Sequence, residues 1–139
     1  MSNGAAATIV LVEDDPGDCE LIRLALEDGG VRHVLVHLDD GKKALEALST
    51  MDPAPALILL DLNLPKIDGK DVLRALRKAP ATARVPVVIL SSSDLAEDIK
   101  GCYALGANSF VSKPVGFGDF SRVVASVARY WTEINRCPL

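Results

Sequence analysis

The sequence is poor in the features that mark most specialised chains. Cys19, Cys102 and Cys137 form no CxxC pair and no zinc-type spacing. An odd, scattered set points to reduced thiols used in packing or at the surface, and to a cytoplasmic setting. Only Cys137, near the end, is placed to cross-link two chains. Basic charge is also short: 15 Lys and Arg stand against 19 Asp and Glu, for a net charge of −4. That is the wrong sign for a DNA-binding face. No apolar run approaches the roughly 20 residues of a membrane span. The opening "MSNGAAATIV" lacks the basic n-region of a signal peptide and reads as a short disordered lead. The two histidines, His33 and His37, flank one apolar run with no ligand residues in register. No repeat or low-complexity tract interrupts the chain.

What is present suits one domain. The chain has 139 residues, of which 49% are apolar, enough for a layered core. Short apolar runs at 8–12, 33–37, 56–60, 85–90 and 109–112 read as strands. Helical patterns fill 15–30, 39–51, 69–79, 94–106 and 117–134. The last places Phe120, Val123, Val124, Val127 and Trp131 at helical spacing on one face. Five strand–helix units with near-continuous apolar strands predict an α/β fold, a parallel sheet covered on both faces. Ligand sites in such sheets lie beyond the carboxyl ends of the strands, near the point where strand order reverses.

The stretch "LILLDLNLPKIDG" (57–69) carries a carboxylate, Asp61, to the tip of a buried strand, where an unpartnered charge is costly. The other strands end in polar residues too. Glu13, Asp14 and Asp15 follow the first, Ser91, Ser92 and Ser93 the fourth, and Ser112, Lys113 and Pro114 the fifth. The acids after strand one take the place of the GxGxxG that a dinucleotide-binding turn needs. Three carboxylates in one pocket repel one another. Mg²⁺, a hard cation with a preference for oxygen, would offset that repulsion, and so would Lys113. A metal, a lysine and a hydroxyl (Ser91) around one carboxylate suit phosphoryl transfer, with Asp61 as nucleophile forming an acyl phosphate.

The motifs "VLVEDD", "LILLDLNLPKIDG", "VVILSSSD" and "FVSKPV", in that order, resemble the receiver domain of two-component response regulators, of the chemotaxis-regulator fold. The likeness covers residues 8–131, leaving 1–7 as the lead and 132–139 as an extension of the last helix. It implies a doubly wound, flavodoxin-like five-stranded sheet in the order 2-1-3-4-5 with five helices. It implies Asp61 as phosphoryl acceptor, Asp14 as direct Mg²⁺ ligand, and Glu13 acting on the metal through water. Asn63 would ligate through its backbone carbonyl. Ser91 matches the switch hydroxyl, Lys113 the lysine that meets the phosphoryl group, and Phe110 the switch aromatic; Asp15 has only a supporting part. The Lys113–Pro114 bond is expected to be cis. The wording "VEDDPGD", "LDLNLPKIDG" and "SSSD", with a last helix through "RYWTEINRCPL", resembles the stand-alone regulators paired with bacterial phytochromes.

These likenesses imply a signalling protein and not an enzyme. Its phosphoryl donor would be a sensor histidine kinase, with a bacterial phytochrome as the narrower expectation. Its output would pass through protein binding or a phosphorelay. A phosphorylation-independent binding module is the alternative. A phosphohydrolase with an aspartyl nucleophile usually needs a second acid two residues on, where this chain has Asn63. Ser93 or Asp94 is expected to cap the fourth helix. Apolar residues past Trp131, Ile134 and Leu139 among them, suggest a homodimer through helix four, strand five, helix five and the tail.

Overall fold

The computed structural model describes residues 6–138. The first five residues of the expected lead and Leu139 of the tail lie outside them. Five strands, β1 (Ala7–Val12), β2 (His33–Leu38), β3 (Leu57–Leu60), β4 (Val87–Ser91) and β5 (Ser109–Ser112), alternate with five helices. The helices are α1 (Pro16–Asp28), α2 (Gly41–Thr50), α3 (Gly69–Lys78), α4 (Ala96–Ala104) and α5 (Phe117–Arg129). All strand pairs are parallel, and the order is β2-β1-β3-β4-β5. β1 begins at Ala7, which pairs with His33.

Strand side chains alternate between faces, and this divides the core in two. Val10, Val12, Ile58, Leu60, Val87 and Ile89 face Ala44 and Leu48 of α2 and Val72, Leu73 and Leu76 of α3. Ile9, Leu11, Leu57, Leu59, Val88 and Leu90 face Ile22, Ala25 and Leu26 of α1 and Phe120, Val124 and Ala128 of α5. Burying strands on both faces explains why they carry no polar alternation.

Local chemistry sets most helix starts. Asp15 accepts hydrogen bonds from the Gly17 and Asp18 N–H groups, and Pro16 occupies the first turn, where its missing N–H is harmless. Asp40 and Asp68 cap α2 and α3 in the same way. The fourth helix departs from expectation. Leu95 is its N-cap and offers no side-chain bond. The Ser93 hydroxyl accepts from the Leu95 N–H and donates to Asp98, so it is engaged before the first turn and the helix starts at Ala96. The fifth helix also departs: its continuation, Tyr130–Ile134, widens to π geometry. There the Thr132 hydroxyl donates to the Ala128 carbonyl at 2.7 Å and competes with the backbone ladder. Trp131 packs against the α1–α5 core, and Ile134 is exposed.

Register places the strand ends on one level. Val12 pairs with Leu60, Leu60 with Ile89, and Ser91 with Ser112. Glu13, Asp61, Ser91 and Lys113 therefore sit at or one step beyond the carboxyl edge, where the helices that follow β1 and β3, α1 and α3, lie on opposite faces of the sheet.

Candidate functional site

Carboxylate oxygens of Glu13, Asp14 and Asp61 lie within 4.8 Å of one another. Asp14 is exposed, whereas Glu13 and Asp61 are buried. The backbone holds them there: the Glu13 N–H donates to the Leu38 carbonyl, and the Asp61 N–H to that of Val12. Beneath Asp61 the β3–α3 loop folds back tightly. A Cβ on Gly69 would stand 2.5 Å from the Asp61 carbonyl oxygen and 2.6 Å from Leu62 Cα. Glycine at 69 is thus a condition of the loop's shape. In the same loop Lys66 adopts φ 70°, a left-handed conformation uncommon outside glycine, and its ammonium lies 3.4 Å from buried Asp40.

Lys113 provides a half-buried cation. Its Nζ donates to Glu13 Oε1 at 2.7 Å and to Asp18 Oδ2 at 2.8 Å, and stands 3.9 Å from Asp61 Oδ1. The Lys113 N–H donates to the Ser91 carbonyl. The Lys113–Pro114 bond is not cis; among the described residues the cis bond is Asp52–Pro53. Trans is the X–Pro default by about 0.5–1 kcal/mol, and it already lets Lys113 reach both carboxylates.

Burial raises the Glu13 carboxyl to about 7; the Lys113 hydrogen bond opposes the rise, and the Asp61 charge adds to it. Burial likewise raises Asp61, against the pull of the Lys113 charge and of the Asn63 and Leu62 N–H groups. For Lys113 burial works against the charge, but Asp18, Glu13 and Asp61 overcome it and the pKa rises. One ammonium thus serves several acids. Hard oxygen donors carrying more negative charge than the lysine can offset fit a small divalent cation such as Mg²⁺ or Mn²⁺.

Ser91 is fully buried, and its hydroxyl accepts the Ser93 N–H at 3.0 Å. From there a chain of bonds leads outward. Ser93 Oγ donates to Asp98 at 2.7 Å, and Asp98 pairs with Lys70 of α3 at 2.8 Å. Exposed Asn63 borders this polar recess. Phe110 is half-buried against the α2–α3 core, and its N–H donates to the Tyr103 hydroxyl at 3.2 Å. Asp15 serves as the α1 cap and gives its N–H to Glu13.

Sequence reasoning missed Asp18, the Ser93–Asp98–Lys70 chain and the strained Lys66. Asp18 had one signal, an acid in the first turn of a helix that follows an acidic strand end. His37, read as lacking ligand residues in register, makes two hydrogen-bond contacts. Its Nε2 lies 2.7 Å from the Glu13 carbonyl and 2.9 Å from Cys19 Sγ, so it ties β2 to the acidic loop. Burial and the surrounding carboxylates push the Cys19 thiol up to about 12, which keeps it protonated at neutral pH.

Residues 9–125 match the family model described as the response regulator receiver domain. The chain is 37% identical over 134 residues to the probable methanogenesis regulatory protein FilR2 of Methanothrix harundinacea, covering 94% of this chain and 86% of that protein. It is 36% identical over 135 residues to the response regulator Rcp1 of Synechocystis, covering 94% and 92%. The Mn²⁺-bound structure of Rcp1 superposes with a TM-score of 0.87 over 96% of this chain and 99% of that one. The phosphorylated cyanobacterial phytochrome response regulator RcpA superposes with a TM-score of 0.91 at 36% identity, over 97% and 100%.

Proposed function

The chain belongs to the response regulator receiver domain family, whose role is phosphorylation-dependent signalling, and we propose that Asp61 is its phosphoryl acceptor. The observation that carries this is the Asp61 carboxylate itself. It is buried at the end of β3, beside two further carboxylates and 3.9 Å from the Lys113 ammonium. An Asp61 oxygen attacks the phosphorus of a phosphohistidine on a sensor kinase. The P–O bond forms as the P–N bond breaks, and the imidazole leaves. Asp14, Asp61 and the Asn63 carbonyl would hold Mg²⁺ directly and Glu13 through water. Once bound, the metal would neutralise charge on the transferring group.

The chain's own residues do the rest. Lys113 pairs with the new phosphoryl oxygens, and the Ser91 hydroxyl gives up the Ser93 N–H to donate to them. The room vacated lets Phe110 turn inward, which alters the α4–β5–α5 face and shifts an existing equilibrium. The receiver unit spans 8–131 and is cytoplasmic and non-enzymatic, acting by partner binding or as a relay step. Among the described residues no helix is long and apolar enough to cross a membrane. Likeness to Rcp1 and RcpA supports a bacterial phytochrome kinase as donor. Exposed Leu95, Tyr103, Tyr130 and Ile134 support homodimerisation through α4–β5–α5 and the 132–139 tail. Sedimentation showing an unchanged monomer with and without phosphoryl group would rule that dimer out.

The deciding experiment is intact mass after incubation with acetyl phosphate, with and without Mg²⁺. Wild type gains one phosphoryl unit, about 80 Da, only with Mg²⁺, and Asp61→Asn gains nothing. A gain of equal size in the variant defeats the assignment. No gain in wild type, even with a histidine kinase supplied, favours a phosphorylation-independent binding module.

A further inference from the structure

Lys113 is bonded to a residue outside the acidic cluster, Asp18. An ammonium has three N–H donors. Two of them are taken, by Glu13 at 2.7 Å and Asp18 at 2.8 Å, while Asp61 stays outside hydrogen-bond range at 3.9 Å. The two bonded partners differ in setting. The Glu13 side chain is 2% exposed, and that of Asp18 is 30% exposed. Asp18 looks onto an open recess between α1 and the segment before α5, bordered by Leu21, Pro114, Val115 and Phe117. Water can take over its hydrogen bonds, so the Asp18 pair is the cheaper of the two to break. Asp18 also sits in the first turn of α1, where a negative charge is stabilised without the lysine.

We propose that Asp18 is a positioning residue. It parks the Lys113 ammonium short of Asp61 in the resting protein and surrenders it to the phosphoryl oxygens when Asp61 is modified. The inference rests on the reading of Asp61 as acceptor and deepens it. Asp18 competes with the phosphoryl group for one cation, and its own charge repels the incoming anion. Both effects oppose phosphoryl binding, whereas the same charge attracts a divalent metal. Removing it therefore moves the two affinities in opposite directions, which a general loosening of the fold does not do.

The test compares wild type with Asp18→Asn, Asp18→Ala, Asp18→Glu and Asp61→Asn. Calorimetry reads the affinity for Mg²⁺ alone, then for beryllofluoride, a phosphoryl surrogate, at saturating Mg²⁺. Asp18→Asn and Asp18→Ala bind beryllofluoride roughly two- to fivefold tighter, the scale of a partly solvated ion pair, and bind Mg²⁺ more weakly. Asp18→Glu behaves as wild type, and Asp61→Asn takes up no beryllofluoride. In the metal-free protein the Lys113 ammonium signal, read by ¹⁵N NMR, is protected in wild type and lost to solvent exchange in Asp18→Ala. An unchanged beryllofluoride affinity, or one that falls together with Mg²⁺ affinity, overturns the positioning role. So does an ammonium signal indifferent to Asp18. Wild type that binds no beryllofluoride overturns the acceptor reading, and the positioning role with it, even where the ammonium signal does respond.

Discussion

Lys113 and Arg77 are basic residues withdrawn from water at opposite ends of one sheet, and their surroundings differ in kind. Arg77 lies at the amino end. Its guanidinium donates to the carbonyls of Gly106, Thr82, Ala83 and Val85 and to the Asn108 side chain, at 2.7–3.3 Å. Those acceptors are neutral, and burial alone lowers the Arg77 pKa. Lys113, at the carboxyl end, faces three carboxylates. One end is satisfied: a planar fork joins the turns before β4 and β5. The other end holds more negative charge than one ammonium offsets. Strain of this sort is expected where a protein acts, and satisfaction where it only holds its shape.

Three experiments would break or sharpen that contrast. The largest effect belongs to Arg77→Ala, which strands several backbone acceptors. Urea denaturation is expected to show a loss of about 2–4 kcal/mol, with the Mg²⁺-dependent mass gain retained in the folded fraction. A loss below about 0.5 kcal/mol, the usual range for surface changes, would put Arg77 among solvated side chains. At the other end the sign reverses. Without divalent metal, Asp61→Asn removes one of the crowded carboxylates and should stabilise the protein by about 1–2 kcal/mol. A destabilised Asp61→Asn would mean that Lys113 already balances the acids.

The third test is a pH dependence. Glu13 is raised to about 7 in the folded protein, above its unfolded value. Between the two values the folded state holds a proton that the unfolded state releases. Stability from this group is therefore fully present below the unfolded value and is lost as pH rises through about 7. Asp61 acts in the same direction. Metal-free wild type should gain stability relative to Glu13→Gln as pH falls from 8 to 5, and saturating Mg²⁺ should flatten the difference. Parallel curves for the two proteins would show that Glu13 is ionised throughout.

The sequence carried the fold because both-face burial leaves an unmistakable trace, apolar strands that stop abruptly at polar residues. It carried the acidic cluster and Lys113 because each follows its strand directly, and a parallel sheet brings those positions to one edge. What it hid depends on geometry away from the strand ends. Asp18 reaches Lys113 across 95 residues of chain, and in a helical pattern it reads as a solvated first turn. Arg77 reads as part of the polar face of α3, and nothing local reveals that its head reaches the turns before β4 and β5. The cap of α4 was misplaced because the Ser93 hydroxyl is committed to Asp98. The widened turn after α5 follows from one hydroxyl bond that helical periodicity does not register.

The ion pair between Glu13 and Lys113 joins residues 100 positions apart. The pocket is therefore assembled from both extremes of the fold and exists in no fragment that omits β1 or β5. During synthesis, β1 and its acids leave the ribosome early, and β5 with Lys113 leaves late. A nascent chain can collapse its first strands and helices but has no complete pocket to offer a kinase until β5 has docked on β4. Completion of the pocket thus waits for the last strand, and a chain that stops before β5 lacks Lys113 altogether.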